Sequence, residues 1–179
     1  MNYVNVVGGT KAQRKLAEDV AYFCIGEMMP RFRTLEIEIQ LTKCLEEGAY
    51  GFCYAMETER DFTIEIDKRI TKFKNGKVKK SGRDIFIETL CHEMVHVMQT
   101  AKGLMVDRVR PKRLGYRKLW KGKDYTDTPY SKQPWERQAY RMQGPLLKLS
   151  LIHISEPTRR YARGGGGGGG GGRGGGGGG

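Results

Sequence analysis

Glu88-Thr89-Leu90-Cys91-His92-Glu93-Met94-Val95-His96-Val97-Met98-Gln99 is the stretch on which the reading of this chain turns. It lies inside a helical pattern running from about Arg83 to Ala101 and stopped at Gly103. At about 100° per residue, His92 and His96 stand only about 40° apart, one turn from each other. Phe86, Ile87, Leu90, Cys91, Met94, Val97 and Met98 spread over roughly half the circumference on the opposite side. The narrow remaining stripe holds Glu88, Thr89, His92, Glu93, His96 and Gln99. Such a helix buries its wide apolar face in a core and turns its polar stripe into a cleft.

Two imidazoles stacked one turn apart can share one tetrahedral zinc ion. Glu93 projects from the flank, near such an ion without having to bind it. There it can take a proton from a zinc-bound water. His, Glu and His at this fixed spacing arise by chance in about 1% of chains of this length. Chance must also account for both histidines outside the C-terminal tail falling in the motif. A structural zinc has no use for a general base, so Glu93 favours a catalytic ion. Thr89 and Gln99 share the stripe and are candidates for partners behind the ligands.

A catalytic zinc needs a third protein ligand. The third histidine of the chain, His153, falls in a C-terminal tail that reads as non-native, which leaves the carboxylates Asp107, Asp124, Asp127 and Glu136. Glu136 is preferred, on a predicted helix opened by Pro134 and anchored by Trp135. A carboxylate on a second helix can be held rigidly against the first. Glu136 also suits a helix N-terminus for electrostatic reasons alone. Tyr140, one turn along, either bonds near the metal or simply packs.

The rest of the chain supplies the frame. Thr10 is a plausible N-cap for a first helix patterned by Leu16, Val20, Phe23 and Cys24 and closed by Met28-Met29-Pro30. Leu35, Ile37, Ile39 and Leu41 alternate with Glu36, Glu38 and Gln40, a half-buried strand. Gly48 to Met56 reads as a second strand, and Phe62, Ile64 and Ile66 as a third. Asn75-Gly76 is a hairpin-type turn signal. Val106 to Asp127 reads as basic and irregular, with room for short strands, and Pro134 opens a short helix to about Gln143. The expected fold is α+β, with an N-terminal helix, a three-stranded and mostly antiparallel sheet, the motif helix and a C-terminal helix.

Leu149 to Arg159 resembles the in-frame translation of a common transposon-type sequencing adapter, and nearly pure glycine follows. Residues 149–179 are therefore set apart as a non-native, disordered tail, and 1–148 are read as one domain. Without the four arginines and one glutamate of that tail, the net charge of +12 becomes +9. There is no apolar run long enough for a membrane span and no leader pattern at the N-terminus. Cys24, Cys44, Cys53 and Cys91 show no metal spacing and read as free thiols in a reducing cytoplasm.

The motif helix, together with Pro134-Trp135-Glu136-Arg137-Gln138-Ala139-Tyr140, resembles the small SprT-like zinc metallopeptidases common in phage genomes. The likeness covers roughly Leu35 to Met142. It implies a zincin-like domain cutting a protein or peptide substrate in the host cytoplasm. It also implies zinc on His92, His96 and Glu136, with catalysis by Glu93. SprT and Spartan proteins use a third histidine, and a glutamate in that place is closer to the gluzincin pattern. Basic stretches at Lys68–Arg83 and Arg108–Lys123, with Tyr116 and Trp120 interleaved, suit a nucleic-acid surface or a solvated face. The rival reading is thus a nucleic-acid-binding protein with a structural or vestigial zinc site. Peptidase action on DNA-bound proteins would combine the two, and hydrolysis of a non-peptide amide is a further alternative.

Overall fold

In the computed structural model, which describes residues 1–43, 49–56, 58–72, 81–109 and 116–155, the chain opens on a strand the sequence reading overlooked. This β1 (Tyr3–Gly8) leads into α1 (Lys11–Met28). Gly8 and Gly9 make the turn with φ of +75° and +58°. A Cβ on Gly8 would lie 2.5 Å from the Leu41 carbonyl oxygen, so the position requires glycine. Thr10 then caps α1 in a capping box with Gln13, as its residue type suggested.

The strands β2 (Glu36–Thr42), β3 (Gly51–Ala55) and β4 (Asp61–Asp67) follow, joining β1 in a sheet ordered β1-β2-β4-β3. β1 pairs parallel with β2, and β2 parallel with β4. Only β3 runs antiparallel, against β4. The expected three-stranded, mostly antiparallel sheet is thus corrected to a four-stranded mixed one. The alternation itself held: Ile37, Ile39 and Leu41 of β2 and Phe62, Ile64 and Ile66 of β4 are buried on one face. A period of two assigns faces but not neighbours: α1 makes the crossover between the parallel β1 and β2, whereas between the parallel β2 and β4 the chain passes through β3.

The motif helix is α2 (Gly82–Ala101), capped by Ser81 in a capping box with Asp84. It packs against α1, β3 and β4 and against the last helix, α3 (Pro134–Ser155). Between them, the basic region, read as irregular with room for short strands, forms a second sheet of short antiparallel strands, β5 (Met105–Val109), β6 (Tyr116–Trp120) and β7 (Lys123–Asp124). The α+β class stands, with these two sheets.

α3 also runs further than the expected end near Gln143, passing through Pro145 to Ser155. An interior proline costs roughly 3 kcal/mol. Leu146 and Leu147 are buried, and Leu151 and Ile154 pack partly against the core. Two buried leucines contribute roughly 3–6 kcal/mol, enough to carry the helix past the proline. The helix therefore enters the segment set apart on sequence grounds, while 156–179 and the Asn75-Gly76 turn lie outside the described residues.

Cys24 of α1 and Cys91 of α2 are buried free thiols with sulfurs 3.8 Å apart, and Cys53 is also free. Cys44 lies outside the described residues. No described helix is long and apolar enough to cross a membrane.

Candidate metal centre

Because α2 is packed on several sides, its polar stripe is buried along with its apolar face. His92, Glu93, His96 and Gln99 are 8%, 6%, 9% and 0% exposed. Glu136, in the first turn of α3, is brought opposite the two histidines and is itself buried. His92 Nε2 and His96 Nε2 lie 3.2 Å apart. His92 Nε2 is 3.3 Å from Glu136 Oε2, and His96 Nε2 is 3.4 Å from Glu136 Oε1. Four ligands at about 2.0–2.1 Å from a tetrahedral zinc stand about 3.3–3.4 Å from one another. The two imidazole nitrogens stand close to that edge, and the Glu136 carboxylate faces them with one oxygen towards His92 and the other towards His96.

Among the described residues, His92, His96 and Glu136 form the group of histidine, cysteine or acidic side chains that can hold a metal ion. The other carboxylates weighed from the sequence lie elsewhere. Asp124 accepts from Thr126 and sits 3.4 Å from Arg117. Asp107 is paired in register with Lys118, and Asp127 is exposed.

The electrostatics suit a cation. Burial works against ionisation of Glu136, but hydrogen bonding with His92, the charge of His96 and the Tyr130 hydroxyl outweigh it and hold the carboxyl below its ordinary range. Burial lowers His92 too, yet its bond to Glu136 and the charge of Glu93 leave it raised. Burial holds His96 down. Glu93 is pushed up to about 7, chiefly by burial, with His92 opposing and Glu136 adding to the rise. A carboxyl poised near neutrality can both take and return a proton.

Several neighbours complete the site. Gln99 Oε1 faces His96 Nδ1 at 2.8 Å, and Gln143 Oε1 faces His92 Nδ1 at 2.7 Å. The Tyr130 hydroxyl donates to Glu136 Oε2 at 2.7 Å. The Tyr140 ring stands edge-on to His92 with centroids 4.8 Å apart. Of the outer residues proposed from the sequence, Gln99 and Tyr140 therefore touch the histidines, and Thr89 lies against β3. Gln143 was overlooked, although Glu136, Tyr140 and Gln143 follow one helical face at spacings of four and three. Tyr130 comes from a short 3₁₀ turn (Tyr130–Lys132) before α3, which no periodicity marks.

β3 closes the other side. A Cβ built on Gly51 would lie 2.9 Å from Ile66 Cδ1, 2.9 Å from Thr89 Cγ2 and 3.0 Å from Glu93 Oε1. A side chain at this position would have to push aside the ends of Ile66, Thr89 and Glu93. Gly51→Val is expected to cost about 1–3 kcal/mol by overpacking and to lower the melting temperature by several degrees in a circular-dichroism melt. An unchanged melt would mean that β3 does not lie this tightly against α2.

Comparison with protein-family models, with curated proteins and with solved structures found no match to this chain.

Proposed function

We propose that this chain is a zinc metallopeptidase in which His92, His96 and Glu136 bind the ion and Glu93 is the general base. The observation that carries the reading is the convergence of the three groups in one buried site, with the two Nε2 atoms 3.2 Å apart and each within 3.4 Å of an oxygen of Glu136. Two histidines and one carboxylate leave a fourth position open, the pattern of catalytic zinc sites. When bound, zinc supplies a Lewis acid that makes water a nucleophile near neutral pH and polarises a carbonyl.

The residues then divide the work. Glu93 accepts a proton from the attacking water as its oxygen bonds to the scissile carbonyl carbon. Glu93 returns that proton to the leaving amine as the carbon–nitrogen bond breaks. β3 is hydrogen-bonded to β4 on one side and passes Glu93 at Gly51. An extended peptide that adds to its other edge would lay a scissile bond beside Glu93. The free thiols suit the reducing cytoplasm expected from the sequence.

The nucleic-acid reading draws less support. Lys118 lies over the Trp135 ring at 5.9 Å and Lys121 over Trp120 at 5.8 Å. In this part of the second basic stretch, aromatic faces are met by the chain's own cations.

The test is elemental analysis followed by a peptide-cleavage screen. About one zinc per chain is expected, with cleavage lost on chelation and restored by zinc. A folded chain that takes up no zinc would overturn the reading.

A further inference from the structure

Gln99 is fully buried, and both ends of its amide are committed. Nε2 donates to the Trp135 carbonyl at 3.0 Å and to Gln138 Oε1 at 3.0 Å. A backbone carbonyl can only accept, so the NH₂ end must face Trp135 and the oxygen must face His96. That oxygen, 2.8 Å from His96 Nδ1, can likewise only accept. Nδ1 therefore carries the imidazole proton when His96 is neutral. Nε2 is left as a bare lone pair, aimed at His92 Nε2 and at the carboxylate of Glu136.

We propose that Gln99 is a positioning residue with two tasks. It holds His96 in the tautomer that offers Nε2 to the metal. It also ties α2 to the backbone of Trp135, one residue before Glu136, and so sets the register of the third ligand before any ion arrives. The proposal rests on the metal-centre reading. It goes beyond the ligand set, because it assigns the proton of a ligand and the device that docks the two ligand-bearing helices. Gln143 of α3 faces Nδ1 of His92 at 2.7 Å in a similar way, but no second partner among the described residues fixes its amide, so the assignment is made for Gln99 and His96 alone. Gln99 is a neutral amide, so it orients the His96 ring without drawing the ring proton away, as a carboxylate acceptor would.

The first measurement needs no metal. ¹⁵N NMR of the metal-free protein, above the imidazole titration range, distinguishes a protonated ring nitrogen from a bare one. His96 is expected with Nδ1 protonated and Nε2 bare, the reverse of the tautomer that free histidine prefers. Gln99→Met, of similar bulk, should lose that tautomer and weaken zinc binding by about 10–100-fold. Gln99→Glu keeps an acceptor for Nδ1 but loses the donor to Trp135. It should keep the tautomer and still bind zinc more weakly, which separates the two tasks.

A wild-type His96 protonated on Nε2 would overturn the proposal, whether or not the variants fold. So would a Gln99→Met protein with unchanged tautomer and unchanged zinc affinity. One zinc per chain with the wrong tautomer would sink this proposal and leave the metallopeptidase reading standing. The right tautomer with no zinc uptake would sink both.

Discussion

Glu93→Gln is expected to hold zinc as the wild type does and to cut peptide hydrolysis by about 10²–10⁴-fold. The amide has the shape of the carboxyl, so it can fill the same space beside Gly51 and Thr89, where β3 leaves little room. It cannot accept the proton of the attacking water. Glu93 is not among the three groups that converge on one point, so its loss should leave the ion in place. A second signature separates this role from a packing role. The pKa of Glu93 is raised from 4.5 to about 7 in the folded protein. Its stabilising share is present below the unfolded value and is lost as pH rises through the folded one. Metal-free Glu93→Gln, which never ionises, should therefore melt above the metal-free wild type at pH 8, with the gap closing towards pH 5. Wild-type turnover in this variant would remove Glu93 from the chemistry. Loss of zinc would make it a ligand instead.

The chemistry of this site was more legible than its surroundings. His92, Glu93 and His96 declare themselves because a helix repeats nearly every fourth residue, so spacing alone fixes their shared face. Glu136 was reachable through the proline and tryptophan beside it. The sheet order was not. Alternation in β2 and β4 shows which side is buried, but not that the two pair in parallel with β3 set outside β4, and β1 buries Val4 alone, so its own alternation is weak. The length of α3 was hidden for an energetic reason. Gly144-Pro145 is a stop signal in isolation, and only tertiary burial of Leu146 and Leu147 overrides it. Gly51 shows the same limit, because the crowding around it comes from Glu93 and Thr89, distant in sequence.

Glu136→Ala should remove most of the stabilisation that zinc confers. An ion that binds the folded state alone stabilises it by about 4.1 kcal/mol at free zinc 1,000 times Kd. Each kcal/mol moves the melting temperature by about 2–4 °C in a domain of this size, so the wild type should gain about 8–16 °C. His92 and His96 sit one turn apart on α2, and by themselves they grip an ion from one helix only. Glu136 is what links that helix to α3 through the metal. Losing a ligand should weaken binding beyond the roughly 10–100-fold cost of losing an outer partner, and the gain at the same free zinc should shrink accordingly. The metal-free melts of both proteins set the baseline, because Glu136 also accepts from Tyr130. An equal zinc-induced rise in wild type and variant would exclude Glu136 as a ligand and leave the ion on the two histidines of α2. No rise in either would remove the metal, since a buried tetrahedral site that gains nothing from zinc is not a zinc site.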